Sequence, residues 1–100
     1  MNLLQIVTGY FVERTKLSRA WLSCHPTCEA CGSKRGVEVH HVQPFHLFPA
    51  LELKWSNLMS LCRECHFRTG HSLLWAAWNP HAREDAALTR SRVKTRRLTA

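Results

Sequence analysis

Hydrophobic and polar positions follow different periods in the first half of the chain. Apolar residues recur at helical spacing over residues 3–22, with charged residues between them, and predict an amphipathic N-terminal helix. Residues 37–42 alternate with a period of two, which predicts a short strand with His40 and His41 on opposite faces. A second short strand is predicted at residues 58–61. The first half therefore contains a helix and two candidate strands.

The second half of the pattern is mainly helical. Residues 62–69 predict a helix that Gly70 ends. An Asn-Pro pair, a capping residue followed by a favoured first helical residue, predicts a last helix over 80–97. The longest apolar run, from Leu73 to Trp78, is expected to pack in the core rather than to stack on bases.

Length and charge limit the classes of protein that fit. One hundred residues correspond to a single domain over 1–100, with its core at about 24–78. The 14 Lys and Arg against 7 Asp and Glu give a net charge of +7, and five basic residues follow one another closely in the last helix. This charge predicts an anionic partner such as DNA.

The thiols are expected to be reduced. No apolar run is long enough to span a membrane, and the first residues lack the features of a secretory signal, so we expect a cytoplasmic protein. In a reducing compartment paired cysteines are metal ligands more often than disulfides.

Two CxxC pairs are the clearest chemical motif: Cys28 with Cys31, and Cys62 with Cys65. Two such pairs supply four thiolates to one tetrahedral zinc ion, and a site filled by sulfur is structural because it has no open position. The alternative is two unrelated thiol pairs. Cys24 is either an ordinary free thiol or a ligand in place of Cys28. The spacings of the C₂H₂ zinc finger and of the zinc deaminases do not fit.

The segments VEVHHVQPF and NLMSLCRECH, with the flanking CxxC, resemble the HNH endonucleases over about residues 28–71. The resemblance implies an α+β fold, a zinc-bound ββα-metal domain flanked by N- and C-terminal helices. It also implies that His40 and His66 bind a catalytic divalent ion, that His41 is the general base, and that Asn57 fixes the loop that orients His41. Without a carboxylate ligand the site should favour Mn²⁺, Ni²⁺, Co²⁺ or Zn²⁺ over Mg²⁺.

Two further histidines have open roles. On a continuous helix His71 is turned about 140° from His66. Only a break at Gly70 would let it reach the metal, and otherwise it is a core or capping histidine. His46, in the loop between the strands, either reaches DNA or is an exposed loop residue.

The resemblance implies a metal-dependent DNA endonuclease that leaves 5′-phosphate and 3′-hydroxyl ends. One site on a monomer or weak dimer would nick one strand per event, with little sequence specificity. Similarity to small phage and bacterial members implies the cytoplasm of a bacterium or of a phage-infected host, and points to a phage packaging or replication protein as a partner. The alternative is a non-catalytic zinc-ribbon module that binds nucleic acid or a protein.

Overall fold

A computed structural model describes residues 15–44, 46–75 and 77–99 of the chain. Residues 15–24 are helical (α1), so the part of the predicted N-terminal helix before residue 15 lies outside the described residues. Two strands follow, and a short helix continues directly into a π-helical turn. The further elements are β1 Val37–His41, β2 Leu58–Cys62, α2 Arg63–Cys65, the π turn His66–Gly70 and α3 Ala82–Thr99.

The two strands form an antiparallel hairpin whose long connection contains two 3₁₀ turns, Pro49–Leu51 and Trp55–Asn57. In the register of the hairpin Val37 pairs with Cys62 and His40 pairs with Met59. The strand bounds lie within one residue of the predicted ones. Together with α2 and the π turn this hairpin forms the predicted ββα unit, which confirms the α+β fold class.

The core of the domain is built around cysteine side chains. Two alanines one turn apart, Ala82 and Ala86, place the start of α3 against it. Further along α3, the side chains of Arg90, Arg92, Lys94 and Arg96 are exposed. The buried members of the core are Cys28, Ala30, Met59, Leu61, Cys65, Ala82 and Ala86.

The last helix begins two residues later than predicted. Asn79 is buried, and its Oδ1 accepts a hydrogen bond from the backbone N–H of His81 at 2.9 Å. The Asn-Pro pair therefore forms a capped turn ahead of α3, while the helix proper starts at Ala82. The described part of the chain has no helix long and apolar enough to cross a bilayer.

The end of α1 is joined to the hairpin through one buried serine. Trp21 is buried, and its Nε1–H donates to Oγ of Ser60 at 2.9 Å. The Ser60 hydroxyl in turn donates to the carbonyl oxygen of His25 at 2.6 Å. These bonds hold the segment before the first CxxC pair against β2.

The expectation that the apolar run after Gly70 packs in the core is wrong for its first three residues. Leu73, Leu74 and Trp75 are exposed, while Trp78 is half-buried. Ser72 and Leu73 have positive φ angles of 52° and 69°, so the chain reverses sharply there and turns the leucines toward solvent.

Candidate metal centres

Four cysteines converge where the hairpin meets α2. Cys28 and Cys31 lie in the turn before β1, and Cys62 and Cys65 lie at the end of β2 and in α2. Their sulfur atoms all lie within 4.8 Å of one another, and Sγ of Cys31 is 3.7 Å from Sγ of Cys62. With zinc–sulfur bonds of about 2.3 Å, two ligands of a tetrahedral zinc are about 3.8 Å apart. The four thiols are therefore positioned to hold a metal ion.

The thiols differ in how easily they ionise. Burial opposes ionisation of Cys28, but the nearby backbone N–H groups of Cys62, Cys31 and Ala30 lower its pKa to about 7, and that of Cys31 donates to Sγ at 3.4 Å. Burial raises the pKa of Cys31 and of Cys65, and the neighbouring thiols reinforce this for Cys65. Four such thiols become thiolates together only when a cation compensates their charge, so the donor set fits a zinc ion. Cys24 is exposed and is not part of this cluster.

Three histidines form a second cluster beside the first. His40 comes from β1, His66 begins the π turn, and His71 follows that turn. One ring nitrogen from each lies within 4.8 Å of the others. Within the described residues, these two clusters are the groups of metal-ligating side chains.

The π turn explains why His71 joins the cluster. The backbone N–H of His71 donates to the carbonyl oxygen of His66 at 3.1 Å, a bond that spans five residues instead of four. One wide turn thus brings His71 back beside His66, whereas a regular α-helix would separate them by about 140°. The convergence of His71, for which the sequence required a break at Gly70, comes from this change of helix type over His66–Gly70.

Gly70 leaves the space in which the rings meet. A Cβ atom at this position would lie 3.0 Å from Cε1 and Nδ1 of His40 and 3.1 Å from Cδ2 of His66. Any side chain at Gly70 would therefore displace the imidazoles.

The hydrogen bonds of the rings fix which nitrogens face one another. Nδ1 of His66 lies 2.9 Å from Oε1 of Glu38, and Nδ1 of His71 lies 2.8 Å from the carbonyl oxygen of Ala77. Both oxygens accept, so each Nδ1 carries the proton and each Nε2 of a neutral ring carries a lone pair. The two Nε2 atoms are only 3.2 Å apart. Two facing lone pairs repel each other unless a cation lies between them.

The third ring has the same need for a cation. Nε2 of His40 is buried and has no hydrogen-bond partner in the part of the chain that the structure describes. Burial lowers the pKa of His40 to about 3, with the nearby His66 and His71 adding to the effect. Burial also lowers the pKa of His66, although Glu38 opposes this. Neutral imidazoles with inward lone pairs fit a divalent cation, and nitrogen ligands suit Zn²⁺, Ni²⁺ or Co²⁺.

Glu38 supports this cluster from outside it. Its carboxylate accepts from Nδ1 of His66 and also lies 3.4 Å from Nη1 of Arg63. A carboxylate on the far nitrogen of a ligating histidine fixes the tautomer and the ring orientation. The sequence prediction missed Glu38, although the period of two places it on the same strand face as His40.

His41 faces the cleft with its ring held from behind. Nε2 of His41 donates to the carbonyl oxygen of Glu52 at 2.8 Å, which leaves the basic lone pair on Nδ1. Asn57 is buried: its amide N–H₂ donates to the carbonyl oxygens of Gln43 and Leu51 at 2.9 and 3.2 Å, and its Oδ1 accepts from the N–H of Gln43 at 2.8 Å. Asn57 thereby ties both ends of the loop on which the His41 orientation depends.

A cleft of about 290 Å³ opens over the histidine cluster. His40, His41, His66 and His71 line it together with the aromatic rings of Trp75 and Trp78. His46 is exposed and also lines this cleft. The histidine cluster is thus open to a substrate, whereas the cysteine cluster is part of the core.

The segment that contains both clusters has a family match. Residues 28–72 match the family model of the HNH endonucleases. No curated protein and no solved structure matched the chain. The match covers the hairpin, α2, the π turn and all seven clustered side chains, so the similarity of residues 28–72 to the HNH endonucleases, which the sequence predicted, is confirmed.

Proposed function

We propose that the protein is a metal-dependent nuclease that hydrolyses phosphodiester bonds of DNA at the histidine cluster. The observation that carries the proposal is the convergence of three imidazoles, two of them with facing Nε2 lone pairs, at the floor of an open cleft next to His41. The family match supports a nuclease-type function.

Each cluster has a separate part in this proposal. The cysteine cluster holds a structural zinc ion, because four sulfur ligands leave no position for substrate. His40, His66 and His71 would hold the catalytic ion. A divalent cation at this site supplies Lewis-acid stabilisation of the phosphate charge.

His41 acts as the general base. Its Nδ1 lone pair takes a proton from the attacking water, and the bond from Nε2 to Glu52 keeps the ring in the tautomer that this requires. The carbonyl oxygen of Glu52 also stabilises the imidazolium that forms. Asn57 acts through the loop, as a positioning residue for His41.

The positive charge of the protein supports DNA as the substrate. The net charge of +7 and the exposed basic residues of α3 favour phosphate contacts, which are independent of base sequence. We propose that one site nicks one strand per event, with little sequence specificity, and leaves a 5′-phosphate and a 3′-hydroxyl.

A plasmid-nicking assay tests the proposal. Wild-type protein with its structural zinc is incubated with supercoiled plasmid and Mn²⁺, Ni²⁺, Co²⁺ or Mg²⁺, beside a chelator control. His41→Ala should lower the nicking rate by roughly 10²- to 10⁴-fold, the usual contribution of a general base. His81→Ala, an exposed histidine outside both clusters, should nick like wild type.

The alternative function makes a different prediction in the same assay. A zinc-ribbon module would bind the plasmid in a salt-dependent way and leave it intact with every metal. Equal, background-level nicking by wild type and His41→Ala across all metals would contradict the nuclease proposal.

A further inference from the structure

Trp75 is an exposed aromatic residue beside the histidine cluster. Its side chain is 42% exposed, yet its ring centroid lies 4.8 Å from that of His71 and 5.2 Å from that of His66. It also lines the cleft. An exposed aromatic face forgoes a large hydrophobic contribution, and such faces beside a functional cleft are typical of ligand contact.

The backbone holds Trp75 in this position at the expense of burial. Leu73 adopts a left-handed conformation, with a φ of 69°, which is unfavourable for a residue with a side chain. Its N–H donates to the carbonyl oxygen of Phe67 at 3.0 Å. This turn leaves Leu73 and Leu74 62% and 60% exposed, while it returns Trp75 to the cluster. Hydrophobic burial alone does not explain the turn.

The indole is supported by neighbours that leave the cleft open. The ring of Phe67 lies 5.1 Å from it, and the guanidinium carbon of Arg63 lies 4.4 Å above its ring. Arg63 is also paired with Glu38, and it does not line the cleft. Trp75 lines the cleft and Arg63 does not, so the indole, and not the guanidinium, is the group that a ligand in the cleft would meet.

We propose that Trp75 stacks on a nucleobase of the substrate next to the phosphodiester at the histidine cluster, and so selects DNA in which that base is unpaired. This inference rests on the proposed nuclease function and adds its substrate class. A nucleotide joins an anionic phosphate to a flat base through one sugar, and the contact between His71 and Trp75 places sites for both side by side. A base inside a duplex has both faces covered by its neighbours, so it must leave the stack to meet the indole.

The test compares intact and abasic single strands. Fluorescence anisotropy gives the Kd of zinc-loaded protein for a nuclease-resistant phosphorothioate oligonucleotide and for the same backbone without bases. Stacking on one aromatic side chain contributes about 1–3 kcal/mol per base, so wild type should prefer the intact strand by about 5- to 150-fold. Trp75→Leu should bind both strands alike, and Trp75→Phe should keep much of the preference because it keeps a ring.

Trp55→Leu is the matched control. Trp55 is 43% exposed, almost the same as Trp75, but its ring contacts are with Trp21 and His25, and it does not line the cleft. This variant should keep the wild-type preference.

Cleavage of oligonucleotides is the second measurement. Wild type should cut a single strand or an unpaired bubble faster than the matching duplex.

The outcomes separate this inference from the proposed function. If Trp75→Leu keeps the wild-type preference, if Trp55→Leu loses as much of it, or if wild type cuts the duplex faster, base stacking by Trp75 is refuted even when plasmid is nicked. If wild type nicks no plasmid, but prefers the intact strand and Trp75→Leu does not, the stacking site stands and the nuclease proposal fails.

Discussion

The two metal-ligating clusters share one short segment of chain but differ in every physical property that matters for function. Cys65 and His66 are neighbours, yet Cys65 points into the core and His66 toward the cleft. The cysteine cluster offers four ligands that must lose protons, whereas the histidine cluster offers three imidazoles, and burial lowers the pKa of two of them, His40 and His66. The difference supports our proposal that the cysteine cluster serves folding and the histidine cluster serves catalysis, and each prediction below tests that division.

The largest expected effect is the loss of the cysteine cluster. Cys62→Ser should abolish cooperative thermal unfolding, because zinc at a four-thiolate site contributes on the order of 10 kcal/mol, as much as the whole stability of a small domain. His41→Ala should lower Tm by only a few degrees, since it removes one hydrogen bond. Thermal melts by circular dichroism with zinc analysis check this. Equal destabilisation by the two variants would contradict the division between a cysteine cluster that serves folding and a histidine site that serves catalysis.

His71→Ala should weaken cation binding at the histidine cluster while zinc stays on the cysteines. Loss of an outer-shell partner usually costs about 10- to 100-fold in affinity, and loss of a ligand should cost at least that. Calorimetric titration of the zinc-loaded protein with Ni²⁺ measures the change. His81→Ala serves as the histidine control, and an unchanged Ni²⁺ affinity in His71→Ala would show that this ring is not a ligand.

Gly70→Ala should affect the histidine cluster through crowding. The added Cβ would lie 3.0 Å from the His40 ring, so we expect a destabilisation of about 1–3 kcal/mol together with weaker Ni²⁺ binding. Gly36→Ala is the control: its φ of +59° makes the substitution costly, but no atom lies within 4 Å of the new Cβ. Urea unfolding and the Ni²⁺ titration together check both. Equal Ni²⁺ affinity in the two variants would argue against crowding at the rings.

Near neutral pH the smallest effect on stability comes from the ionisation of His40, in protein without a cation on the histidines. The pKa of His40 is about 3 in the folded protein and near 6.5 in an unfolded chain, so only the unfolded state takes up the proton between these values. The ionisation of His40 therefore costs the folded state nothing above pH 6.5. As the pH falls from 6.5 toward 3, it lowers the free energy of unfolding by up to about 1.4 kcal/mol per pH unit.

His40→Asn removes the titrating imidazole and leaves the four cysteines of the other cluster in place. Urea unfolding of the zinc-loaded proteins at a series of pH values should therefore show a steeper acid decline for wild type than for the variant. Parallel curves would mean that His40 is not held neutral by the fold.

The parts of the fold and site that were predictable rest on local signals. The CxxC pairs, the two strands and the adjacent His40 and His41 are each recognisable within a few residues, because ligand spacing and strand period are local properties. The helix end at Gly70 was also recognisable, but its π geometry was not. No local rule distinguishes a turn closed over five residues from one closed over four.

At Trp75 a local rule gave a wrong prediction. A run of apolar residues normally indicates burial, and here that rule predicted the wrong environment. The two left-handed residues before it, neither of them glycine, gave no signal in the sequence.

The amino-acid sequence alone determined which metal-donor groups this protein has: four thiols in two pairs, a histidine pair on a strand, and a histidine beside a cysteine. It also determined the surplus of positive charge. Only the tertiary structure decided that His71 turns back to His66, that Glu38 holds the far side of that ring, and that Trp75 stays exposed at the cleft. Donor chemistry is a property of each residue. Convergence depends on backbone geometry and on the space left at Gly70, and these exist only once the hairpin and the π turn have packed together.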